Sequence, residues 1–259
     1  SCLTLTAGCG DDPTSSGAPT RLRPLNPVLV SEGREIFRYA TFGNETFWTD
    51  TARLHEVISS SVSPRTALAV GLNVDADALP ATLRQALLAG QVDLDTPATT
   101  VALLKLGAVV GVDGTVETVN GRDTLVRVGI TCALCHSRVD ASVAPGIGRR
   151  LDGHAATDLN VGAIVALSPA IPDARKAVMR AWGPGSYDPR TSRDGLNTPI
   201  RIPPAYGLHG VAKETYTGDG PVSYWNAYVA VTQMHGHGSF TDPRLGIDVR
   251  ETPDQVTPL

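Results

Sequence analysis

Apolar residues recur at helical spacing in seven segments of the chain, and these segments predict its helices. They are residues 31–39, 44–60, 77–90, 96–107, 161–167, 172–182 and 221–235. Asp77 precedes the third segment and Gly90 ends it, as is typical of helix ends. Thr96 and Pro97 begin the fourth segment, which Gly107 ends. The pattern therefore predicts a mainly α fold.

The period of the pattern changes between the fourth and fifth segments. Residues 108–112, 115–119 and 123–130 are rich in β-branched side chains, which favour strands. Asp113-Gly114 and Asn120-Gly121 separate these stretches, and both dipeptides are typical of tight hairpin turns. We expect a small β-ribbon that leads directly to residue 131.

The most informative motif follows this ribbon: Cys132-Ala-Leu-Cys135-His136 has the Cys-x-x-Cys-His spacing of c-type haem attachment. Cys132 and Cys135 would form thioethers to one covalent haem c, and His136 would be the proximal iron ligand. A thioredoxin-like redox pair or half of a zinc site remain alternatives. A zinc site needs four ligands, and no second pair of cysteines lies nearby in the sequence.

The second axial ligand of the iron decides what such a haem does. Methionine or histidine in that position is typical of an electron carrier, whereas an open position favours catalysis. Met234, near the end of the last predicted helix, is the candidate distal ligand, although a helix methionine is often a core residue. His55, beside the apolar stripe of segment 44–60, and His235 remain alternatives.

The first residues of the chain indicate export. Residues 1–9 resemble the end of a secretory signal peptide, and Leu5-Thr-Ala-Gly-Cys9 is similar to a bacterial lipobox. Cys9 is therefore the candidate site of lipid attachment, and a plain secretory cleavage is the alternative. We expect a protein in the periplasm or at the cell surface, held to a membrane by a lipid anchor.

The same reading divides the chain into four parts. They are the signal segment 1–9, a flexible polar tether 10–23, a single cytochrome c-like haem domain 24–240, and a polar tail 241–259. The 26 Gly and 19 Pro predict long loops around the haem. A formal net charge of -4 in 259 residues argues against nucleic-acid partners, which require clustered basic residues.

Two further stretches resemble the bacterial di-haem cytochrome c peroxidase family, including its MauG-like members. They are Glu32–Gly43, similar to the helix leading into a haem domain, and Ile202–Val211 with Thr215–Gly220, similar to the strand, turn and loop before the last helix of a haem domain. The resemblance implies a cytochrome c-like fold. This chain departs from the family because it has one Cys-x-x-Cys-His motif instead of two. It also has Thr217-Gly218 where the family loop has Met-His.

These observations lead to an expected function. A single haem motif without an evident acid–base pair beside it favours one-electron transfer to redox partner proteins, which the sequence does not identify. The haem domain of a peroxidase-like oxidoreductase is one alternative. Self-association into a filament, with the haems of neighbouring copies in a row, is another.

Overall fold

The computed structural model describes residues 24–188, 197–213 and 220–249. The predicted signal segment 1–9, the tether 10–23 and the lipid-bearing Cys9 lie outside these ranges. Within the described ranges, no helix is both long enough and apolar enough to cross a membrane.

Every predicted helical segment contains a helix. The α-helices of the described residues are Pro27–Tyr39 (α1), Leu54–Ser61 (α2), Pro64–Ala69 (α3), Ala81–Leu88 (α4), Pro97–Lys105 (α5), Ala133–His136 (α6), Val161–Val165 (α7), Asp173–Arg180 (α8) and Val222–Thr232 (α9). The cap signals of segment 96–107 are confirmed: Thr96 accepts a hydrogen bond from the amide of Ala98, and Gly107 has a left-handed φ of 62° just after α5. The cap predicted at Asp77 is wrong, because α4 begins after Pro80 and has no side-chain cap hydrogen bond. Helices α3 and α6 were not predicted from the periodicity because they are short.

The segment 44–60 forms two helices instead of one. A π-helical turn, Thr46–Thr51, ends before Arg53, whose left-handed φ of 55° breaks the helix and begins α2. The turn is held against the β-ribbon by the buried side chain of Asn44. Its Nδ2 donates to the carbonyl of Ile130 at 2.8 Å, and its Oδ1 accepts from the backbone N–H of Ile130 at 3.0 Å. This tertiary contact overrides the continuous helical pattern.

The prediction of a mainly α fold is wrong: the structure is mixed α/β, with 40% of the described residues in helices and 19% in strands. The strands are Val74–Asp75 (β1), Val112–Val119 (β2), Arg122–Ile130 (β3), Ser137–Val139 (β4), Ile147–Gly148 (β5), Arg150–Asp152 (β6), Ser186–Tyr187 (β7), Ile200–Arg201 (β8), Phe240–Asp242 (β9) and Ile247–Val249 (β10). They form two-stranded sheets. Most are two or three residues long, too short to show an alternating pattern in the sequence.

The predicted β-ribbon is confirmed as the antiparallel pair β2–β3. Asn120 and Gly121 form its turn, with φ values of 51° and 75° that fit a type I′ hairpin. The turn predicted at Asp113-Gly114 is wrong, because these residues pair with Gly129 and Val128 inside the ribbon. Gly114 instead allows close packing, since a Cβ there would lie 2.9 Å from the side chain of Leu104.

The start of the predicted polar tail 241–259 is also structured. Strands β9 and β10 pair there as an antiparallel hairpin, joined by the 3-10 turn Pro243–Leu245. Phe240 and Ile247 of this hairpin are buried against Tyr228 of α9. Polar residues lie between Phe240 and Ile247 in the sequence, so these two apolar residues did not indicate a buried hairpin.

Three apolar clusters form much of the core of the described residues, and one of them includes residues of the Cys-x-x-Cys-His motif. The largest packs α5 against the ribbon and the parallel pair β1–β5, with Leu103, Leu104 and Leu125 among its members. A second is built on Phe47 and Trp48. The third, around Leu159 and Ile202, includes part of the motif itself, as described next.

Candidate haem site

The motif occupies the short helix α6 directly after the β-ribbon. Thr131 fixes the junction, because its amide donates to the carbonyl of Gly111 and its hydroxyl donates to the carbonyl of Arg38, both at 3.0 Å. The amide of His136 donates to the carbonyl of Cys132 at 3.2 Å, which closes one helical turn. Residues three and four apart on a helix share a face, so this turn places Cys132, Cys135 and His136 together.

The imidazole of His136 is held in one tautomer. Its Nδ1 lies 2.9 Å from the carbonyl oxygen of Pro203, and because a carbonyl can only accept, Nδ1 donates. Nε2 therefore carries the lone pair that a metal ligand requires. Burial lowers the pKa of His136, which further favours the neutral ring. These are the properties of an iron-ligating histidine.

The surroundings of the two thiols disfavour their ionisation. Cys132 and Cys135 are both free, with no disulfide between them. Burial raises the pKa of Cys132, and it raises the pKa of Cys135 to about 12. A thioredoxin-like pair requires a lowered thiol pKa, because the thiolate is its nucleophile. The raised values therefore argue against a redox pair.

The zinc alternative also finds no support in the described ranges, where no group of three or more His, Cys, Asp or Glu side chains is arranged to hold a metal ion. A structural zinc site would need such a set around the motif. A haem needs only one histidine from this helix and a second axial ligand from elsewhere.

Strand β4 begins immediately after His136 and is locked to β6. The amide of Gly153 donates to the carbonyl of His136 at 2.7 Å, and the hydroxyl of Ser137 donates to Asp152 at 3.0 Å. Asp152 also forms a 2.7 Å ion pair with Arg38 at the end of α1. The backbone of His136, the candidate ligand, is thereby fixed to two separate parts of the chain.

The end of α9 lies close to Cys135 through one buried tyrosine. The hydroxyl of Tyr187 donates to the side-chain oxygen of Gln233 at 2.7 Å. Burial, and then the electrostatic influence of Cys135 and Tyr228, raise the pKa of Tyr187 above its ordinary value. The residue that precedes Met234 is thus linked through Tyr187 to the surroundings of Cys135, a candidate haem-binding residue.

The three candidate distal ligands have different environments. Met234 is buried, with 4% of its surface exposed, and its carbonyl accepts a 3.0 Å hydrogen bond from the Trp48 indole. The ring of His235 is stacked on Phe47, with centroids 3.7 Å apart and planes 9° from parallel. His55 on α2 has a buried Nδ1 that no described residue hydrogen-bonds. The Phe47 ring thus covers one face of the His235 imidazole.

An apolar cavity of about 260 Å³ adjoins the motif. Leu72, Leu134 and Ile164 line it, and these same side chains pack with Cys135 around Leu159. Leu134 belongs to the motif, whereas Cys132, Cys135 and His136 are not among the residues that line this cavity. The donor set, two uncharged thiols and a neutral histidine with Nε2 free, fits covalent haem c.

Sequence reasoning missed Pro203, Tyr187 and Gln233. Pro203 lies 67 residues from His136, within a stretch that predicts only irregular chain. No local pattern relates a carbonyl to a distant imidazole. The prolines around position 203 are the nearest signal, since they indicate a stiff segment that can present a fixed carbonyl.

Compared with protein-family models, curated proteins and solved structures, the chain gives no match. The resemblance to the di-haem cytochrome c peroxidase family therefore stays a prediction from the quoted residues.

Proposed function

We propose that this protein is an exported c-type cytochrome that carries one covalent haem, bound by Cys132, Cys135 and His136, and transfers single electrons. The observation that carries the proposal is the 2.9 Å contact between His136 Nδ1 and the Pro203 carbonyl. It gives the histidine of a haem-attachment motif the tautomer and the fixed orientation that an iron ligand needs. A Cys-x-x-Cys-His sequence that bound no haem would not require this tautomer and orientation.

The haem itself supplies the one-electron chemistry, and the chain's residues tune it. Burial of the motif among Ala156, Leu159 and Ile202 provides surroundings of low polarity. The fixed histidine and its hydrogen-bond partner set the electron donation to the iron. Residues on α6, β4 and β6 thus act by holding the ligands in place.

The nature of the His136 partner favours a carrier over a peroxidase. A carboxylate at Nδ1 would draw the proton and make the imidazole a stronger donor, whereas the Pro203 carbonyl is neutral. A moderately donating histidine suits reversible electron transfer. Export, anchoring through Cys9 and the use of redox partner proteins belong to the same proposal, supported by the lipobox-like residues 5–9.

The test of this function is the optical spectrum and the redox titration of the purified holoprotein. We expect a c-type α band on reduction, haem that stays attached after denaturation, and a one-electron reversible titration. Rapid turnover with hydrogen peroxide would support a peroxidase instead. A reduced spectrum without the α band would show that no haem c is bound.

We further propose Met234 as the distal ligand, because its neighbour Gln233 reaches the Tyr187 beside Cys135. Met234→Ala is expected to convert a low-spin spectrum to a high-spin one and to lower the reduction potential, since a methionine ligand raises it. Met179→Ala is a matched control, because Met179 is equally buried on α8 and should leave the spectrum unchanged. An unchanged spectrum in Met234→Ala, with a changed one in His55→Ala, would move the assignment to His55.

A further inference from the structure

A second apolar cavity, of about 350 Å³, lies between α3, α4 and α5. Leu83 and Leu87 of α4, four residues apart on one helix face, form one wall. Ala98 and Ala102 of α5, also four residues apart, line it as well, and because both are exposed the cavity opens to solvent on that side. We call it the α4–α5 cavity. Its volume falls within the range of about 300–1,000 Å³ that is typical of small-molecule sites.

The chemistry of this lining determines what the α4–α5 cavity can hold. Thr99 contributes the one polar side chain among its lining residues, and the Thr99 hydroxyl already donates to the carbonyl of Asp93 at 2.7 Å. A charged or strongly polar ligand would lose its hydration without gaining a partner. A neutral apolar molecule would lose no such hydration, and it would remove apolar side chains of the lining from contact with water.

The charges near the cavity do not alter this conclusion. Arg65, next to the lining residue Pro64, is paired with Asp95 at 2.6 Å. Arg84 of α4 faces Asp77 at 3.8 Å. Each positive side chain has an acidic partner, so neither attracts an anionic ligand to the α4–α5 cavity.

Helix α4 is suited to cover such a site. None of its residues is buried, although Leu83 and Leu87 face the cavity and pack against the main apolar cluster. A helix without buried residues gains little from packing, so it can adjust to an occupant at small cost. An apolar ligand would give these two leucines the contacts that the chain alone does not provide.

We propose that the α4–α5 cavity binds a neutral, lipophilic small molecule. Pro64, Leu68, Val74 and Leu103 separate it from the inner cavity that Leu134 lines, because these four residues line both. The occupant would therefore lie one layer of side chains from the chamber beside the haem motif. Binding does not depend on the haem, whereas this proximity to a redox centre rests on the proposed function.

The experiment uses benzene as the probe and the thermal unfolding of the holoprotein as the measurement. A ligand that binds only the folded state raises the unfolding midpoint, so saturating benzene is expected to raise it by a few degrees. Ala102→Phe fills the α4–α5 cavity with a side chain and should abolish or strongly reduce this rise. Val92→Trp, at another lining position, serves the same purpose if Ala102→Phe does not fold.

The matched control is Ala89→Phe, an exposed position at the end of α4 outside the lining, which should keep the full benzene response. A wild-type midpoint that benzene does not raise would overturn the proposal. So would an undiminished rise in the filled variants, because the probe would then bind elsewhere. The c-type α band is recorded on every sample, so a failed cavity is distinguishable from a missing haem.

Discussion

Replacing both motif cysteines, Cys132→Ala with Cys135→Ala, is expected to abolish covalent haem attachment completely. In the proposed site each thiol would contribute one thioether, and no other protein–haem bond would survive denaturation, because a bond from His136 to iron would be a coordination bond. Haem staining of the denatured protein, together with acid extraction of free haem, measures the result. Each single variant should keep haem on the remaining thiol, with an altered α band.

The chain offers a matched control for this experiment. Cys2 and Cys9 are outside the motif, and the lipid attachment predicted at Cys9 does not involve haem. Cys2→Ala and Cys9→Ala should therefore carry a normal amount of covalent haem, although Cys9→Ala should be released from the membrane. Covalent haem in the Cys132/Cys135 double variant would contradict the assignment of these residues.

Gly111→Ala is expected to lower the free energy of unfolding by roughly 2–5 kcal/mol, a large share of the stability of an ordinary domain. Gly111 has a left-handed φ of 77°, which an alanine adopts only at a cost. A Cβ there would also lie 2.1 Å from the backbone nitrogen and Cα of Leu134, between the two haem cysteines. Helix α6 would have to move, so we also expect less attached haem.

Gly107→Ala separates the conformational cost of a left-handed alanine from the steric cost of the contact with α6. Gly107 has a similar left-handed φ of 62°, but no described atom lies within 4 Å of the position of its Cβ. This variant should lose only about 1–2 kcal/mol, the conformational cost alone. Urea unfolding followed by circular dichroism measures both variants. Equal losses would mean that the contact between Gly111 and α6 is not tight in solution.

The helices show what local pattern can predict. Segments such as 77–90 and 96–107 contain their own periodicity, and the second also contains its own N-cap, so each indicated a helix without reference to the rest of the chain. The break at Arg53 was not predictable, because it follows from Asn44 binding Ile130, which is 86 residues away. The fold class was wrong for a related reason. Strand pairs such as β1–β5 consist of two residues each and form only between distant segments.

The candidate site likewise has a part that the local sequence predicts and a part that depends on distant segments. The spacing of Cys132, Cys135 and His136 is a local property, and a single turn of α6 realises it. The partner of His136, the burial that keeps both thiols protonated and the approach of α9 through Tyr187 all require distant segments to meet. A single sequence without aligned relatives does not show which distant segments come into contact.

The sequence by itself determined the helical segments, the ribbon turn at Asn120-Gly121 and the chemistry proposed for residues 132–136, because each depends on residues within one or two turns of the chain. The tertiary structure decided the mixed α/β architecture, the tautomer of His136 and the existence of the α4–α5 cavity. Those features depend on which backbone groups and apolar faces meet in space. Burial and hydrogen bonding between distant residues fix them, and local periodicity does not.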